Sequence, residues 1–147
     1  MLAFLLAQAV ASPLSGWWYI GDMGAKPQRT VIYASLHTRQ IDHDVARVWT
    51  WTVNEKLSES GRESTKTLWE HRCSTSQQRS LMIVGYDRTG ASTGSISNPS
   101  AWNYVVPDSN GAKILAMACQ GKSEGMLPVL KAQGTPVEVA RELFQED

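Results

Sequence analysis

The stretch EHRCSTSQQRSLMIVGYDRTG, Glu70 to Gly90, decides the fold. A polar, cysteine-bearing run gives way to Ser80-Leu81-Met82-Ile83-Val84-Gly85-Tyr86, apolar on both faces in the manner of a central strand covered on each side. Asp87-Arg88-Thr89-Gly90 then reads as a hairpin turn, with glycine where φ must turn positive, and Ala91 to Ile96 returns as the next strand. Upstream, Thr65 to Cys73 is a strand carrying Trp69. Alternation places His71 and Cys73 on one of its faces.

Outward from this hairpin the pattern stays β. Val45, Arg47, Trp49, Trp51 and Val53 alternate with Ala46, Val48, Thr50 and Thr52, so the two tryptophans share a face with Arg47. Asp42-His43-Asp44 is the turn before that strand. Thr30 to Leu36 is β-branched and aromatic, with Thr38 to Ile41 continuing it after a kink. Gly16 to Ile20 is a short aromatic strand, broken by Gly21, Gly24 and Pro27. Asn54 to Ser64 has no apolar period and reads as a flexible connection. Ser97 to Ser100 is loop, and Trp102 to Val106 a short extended run ended by Pro107.

The period then changes from two to nearly four. Asp108 or Ser109 caps a helix through Cys119, with Ile114 and Ala118 on one stripe, Leu115 and Cys119 on the next, and Gly121 as its stop. A connection containing Gly and Pro follows, and Thr135-Pro136-Val137-Glu138 opens a last helix with a capping box and an early proline. Strands first and helices last predict an α+β domain: one antiparallel sheet of about six strands packed against one or two C-terminal helices.

Composition limits the function. The chain has 147 residues, a single-domain length, and its 14 Lys and Arg balance 14 Asp and Glu. No basic field attracts nucleic acid or acidic membranes, so neither is expected as a partner. MLAFLLAQAVAS carries an apolar run followed by Ala9-Val10-Ala11, the small-x-small pattern of signal-peptide cleavage, which predicts a leader over residues 1–11 and a mature domain over 12–147. The alternative is a buried N-terminal strand or short helix, and no Lys or Arg precedes the apolar run. The run falls short of the roughly 20 residues a membrane span needs, and no cysteine follows the cleavage pattern to carry a lipid. Given export, Cys73 and Cys119 allow one intramolecular pairing, worth roughly 4 kcal/mol for a loop of about 45 residues. A free or catalytic thiol and a metal ligand are the competing readings; zinc is poorly served, since there is no CxxC, no HxxxH and no third ligand beside His71 and Cys73. No cofactor motif appears: Gly121-Lys122-Ser123 looks like the end of a phosphate loop, but Ala116 stands where its first glycine belongs.

The order of these pieces resembles the surface-adhesin protein E family from about Trp17 to Cys119. The resemblance rests on Trp49 in its strand, Cys73, Tyr86-Asp87 with Gly90, Trp102, Pro107-Asp108-Ser109 and Cys119. It implies a secreted or envelope-associated bacterial domain, a sheet packed on a helix, a Cys73–Cys119 disulfide and, in some members, binding to host matrix and serum proteins. This chain differs in lacking a lipid-attachment cysteine and in extending from Lys122 to Asp147.

The expectation is therefore an exported, non-enzymatic domain that binds a protein by a sheet face or edge, with homodimerisation through an edge as a further expectation. The candidate contacts are Trp49, Trp51, Arg47, Trp69 and Trp102, since Trp and Arg often dominate protein interfaces; core packing is the alternative for each tryptophan. A second reading is a small-ligand or enzymatic pocket lined by His37, His43, Asp42 and Asp44, against which stands a plain polar hairpin tip. A structural envelope module is the third.

Overall fold

The structure, a computed structural model, describes residues 14–146, so the expected leader lies outside the described residues. Nine strands form one antiparallel sheet: β1 (Leu14–Met23), β2 (Thr30–Ser35), β3 (Gln40–Asp42), β4 (Val45–Asn54), β5 (Arg62–Arg72), β6 (Gln77–Asp87), β7 (Ser92–Ile96), β8 (Asn103–Tyr104) and β9 (Leu127–Leu130). Their order is β7-β6-β5-β4-β2-β1-β9, with β3 beside β4 and β8 beside β6. Helix α1 (Asn110–Gln120) precedes β9, and α2 (Pro136–Gln145) closes the chain.

The alternation of β4 divides the molecule. Its Ala46 and Val48 join Ile20, Ile32 and Ala34 in a core completed by Ile114, Met117 and Ala118 of α1. Its Val53, with Trp51 beside it, joins Val31, Tyr33 and Val129 in a second core closed by Val137, Ala140, Leu143 and Phe144 of α2. The two helices therefore cover opposite faces of the sheet. Both helix starts use the residues expected: Ser109 accepts from the Ala112 N–H, and Thr135 and Glu138 form a reciprocal capping box behind Pro136. Gly121 ends α1 in the left-handed region, at φ 66°, where a side chain would be strained.

Cys73, just past β5, is disulfide-bonded to Cys119 in the last turn of α1, with Cα atoms 5.7 Å apart. Arg39 adds to this clasp, donating to the carbonyls of Ala118 and Cys119 at the helix end. The expected kink between β2 and β3 is a single 3-10 turn over Leu36–Thr38, capped by the Ser35 hydroxyl. It shifts the chain so that β2 pairs the second half of β4 and β3 pairs its first residues.

Three features differ from the sequence expectation. The connection after Gly121 contains β9, which pairs with β1 at the sheet edge. Pro128 hides it in the sequence, yet an edge is where a strand tolerates proline. The 54–64 connection is shorter, because β5 begins at Arg62 with polar residues that cross-strand pairing holds extended. Finally, β6 is not covered on both sides. Leu81 to Val84 are only half-buried, and neither helix core takes in a residue of this strand: α1 and α2 both pack toward β1, β2 and β4.

Candidate binding face

Side chains from β1, β2, β4, β5 and β6 that point toward α2 form one surface, of which α2 covers only part. Beside the first turns of α2, Trp17 and Trp51 meet edge to face with ring centroids 5.4 Å apart. The Lys66 ammonium lies 4.0 Å from the Trp51 centroid, 5.5 Å from that of Tyr86 and 6.0 Å from that of Trp17. This pairing follows from register, since Lys66 stands opposite both Trp51 and Val84. Burial holds the Lys66 amine below its ordinary value. A cavity of about 360 Å³ opens above these residues, walled by α2 and the turn after Asp87. On that wall the buried Glu63 carboxylate takes both a 2.6 Å and a 3.0 Å hydrogen bond from Arg141.

Beyond α2 the surface is open. Trp49 lies directly across from Leu68, and both are half-buried. Next along the strands, Arg47, Glu70 and Arg79 stand in one row across β4, β5 and β6. Glu70 is buried and bridges the two arginines. Arg47 grips one of its oxygens at 2.9 and 2.8 Å, and Arg79 the other at 2.8 and 2.7 Å. Burial pushes the Glu70 carboxyl up, but the hydrogen bonds and charges of Arg47 and Arg79 outweigh it and hold it below its ordinary value. Trp102, on the loop between β7 and β8, folds over this row. The Arg72 guanidinium lies 4.0 Å and that of Arg79 4.5 Å from its ring centroid. These groups, with Ile41 and Val45, line a cavity of about 630 Å³ that is open to solvent.

Four of the five expected contact residues, Arg47, Trp49, Trp51 and Trp102, thus lie on one face. Trp69 does not join them: it points to the α1 side, packs against that core and donates its ring N–H to Thr50 at 3.0 Å. Lys66, Glu70, Arg72 and Arg79 escaped the sequence reading, although Glu70 and Arg72 share the strand parity of Lys66 and become neighbours of β4 once the register is known. The alternative His/Asp set is not one pocket. His43 and Asp42 bond to each other at 2.6 Å on an exposed turn, Asp44 accepts from the backbone and hydroxyl of Ser74, and His37 lines a separate cavity with Leu14, Trp18 and Lys131.

No helix among the described residues is long and apolar enough to cross a membrane. The sequence profile of one protein family, described as surface-adhesin protein E, matches residues 17–120, which takes in most of β1, all of β2 to β8, helix α1 and both cysteines. No curated protein and no solved structure matches the chain significantly.

Proposed function

Because this chain belongs to the surface-adhesin protein E family, we propose that it is an exported, non-enzymatic domain that binds another protein through the part of its sheet face that α2 leaves open. The leader over residues 1–11 would deliver it to the periplasm or cell surface, where the disulfide forms. Envelope or host matrix proteins are the class of partner that the family suggests. One observation carries the reading: Arg47 and Trp102, residue types that anchor interfaces, border an open cavity with an ordered arginine row, and half-buried Trp49 continues the same face toward Trp51 at the margin of the α2 core. A second route is the edge strand β7, whose five residues are all exposed and carry no charge to repel another strand. Such an edge would also serve a homodimer.

The test is capture of envelope and matrix proteins by immobilised 12–147. A partner held by the wild type and lost by the Trp49→Ala, Trp102→Ala double variant supports the face. Retention by that variant, with loss in Thr93→Lys, Ser95→Lys, moves the contact to the β7 edge.

A further inference from the structure

The geometry points to an acidic peptide segment of a protein partner as the ligand of the Trp102 end of this face, an inference that rests on the binding role just proposed and specifies its chemistry. Arg47 and Arg79 each use the Nε and Nη2 groups of one edge to hold a single oxygen of Glu70. A guanidinium has five N–H donors, so each arginine retains donors for a second carboxylate. Arg72 is exposed, makes no ion pair among the described residues, and is held by its stacking on Trp102. Three guanidiniums therefore border one open cavity, and two of them are already ordered against an indole ring. A carboxylate arriving there meets paired planar donors and little rotamer freedom remains to be lost.

The rest of the lining narrows the ligand. Ile41 and Val45 supply apolar contact beside the arginines, so the fitting segment alternates carboxylate and apolar side chains. Extended polyanions fit less well. The cationic row stops at Gln40 and Asp42 on the β3 side, Asp42 being engaged by His43, and the whole chain has equal numbers of acidic and basic residues. Arginine in place of lysine at all three positions suits the flat two-oxygen edge of a carboxylate.

The experiment titrates the disulfide-bonded 12–147 protein into a fluorescein-labelled peptide of alternating Glu and Leu, and into its twin with Gln for Glu, following anisotropy. The wild type should bind the Glu peptide about tenfold tighter than the twin, and added salt should erode that preference. Arg72→Gln and Trp102→Leu should each reduce the preference severalfold while leaving the unfolding midpoint unchanged. Equal binding of the twins, or an undiminished preference in Arg72→Gln, overturns the inference. A heparin-derived oligosaccharide that binds more tightly than the Glu peptide through the same arginines overturns it in favour of a polyanion. Capture of a partner that Arg72→Gln retains and Trp49→Ala loses would sink the acidic ligand alone and leave the binding face standing.

Discussion

Glu70 is the residue on which the exposed end of the face depends. Its buried carboxylate neutralises two guanidiniums at once, so Glu70→Ala leaves two uncompensated cations side by side. The expected cost is about 2 to 3 kcal/mol by urea denaturation, at the lower end for a broken ion pair because Arg47 is half exposed. Its carboxyl is held low in the folded state, so its contribution is present above the ordinary carboxylate range and is lost as pH falls through the depressed folded value. His71 adds a second acid sensitivity at higher pH. It is fully buried on the α1 side, two residues before Cys73, and neither ring nitrogen has a hydrogen-bond partner among the described residues. Burial pushes its pKa down from 6.5 to about 4, with the Gln78 amide, which falls short of a well-formed hydrogen bond, pulling weakly the other way. The unfolded chain therefore binds the proton first. Stability should be complete above about pH 6.5 and fall by on the order of 3 kcal/mol on the way to pH 4. Chemical denaturation across that window checks it, and His71→Asn should flatten the slope between those limits.

At the scale of elements, the disulfide joins the end of β5 to the end of α1 and so fixes one helix to its face of the sheet. The cysteines are 46 positions apart, and Cys73→Ser should lower unfolding free energy by about 4 kcal/mol through the entropy returned to the unfolded chain. A near-zero change would contradict that account. The long elements were legible in the sequence because each carries its own period: two in β4, near four in α1 and α2, both helices with caps that the structure repeats. What escaped was set by pairing with distant residues. β9 contains Pro128 and only four residues, and nothing local marks it as a strand; β1, more than a hundred positions earlier, makes it one. The polar first residues of β5 are extended for the same reason, paired with the far end of β6.

At the scale of the whole molecule, two helices pack on opposite faces of one sheet, and the second is too short to cover its side. That mismatch leaves the candidate face. The sequence could say that Arg47, Trp49 and Trp51 share a side, since alternation is a local property. It could not say that α1 would take the other side and with it Trp69, nor that Trp102 would fold back over Arg72 and Arg79. Lys66 illustrates the limit best: in the chain it is one lysine in a polar strand, and only the register of three strands seats it against Trp51 and Tyr86. Amide hydrogen exchange of the 12–147 protein, with and without a captured partner, tests the location of binding most directly. New protection is expected over 45–51 of β4, 66–72 of β5 and the segment around Trp102, with α1 unchanged. Protection confined to α1 or to β7 would contradict this location.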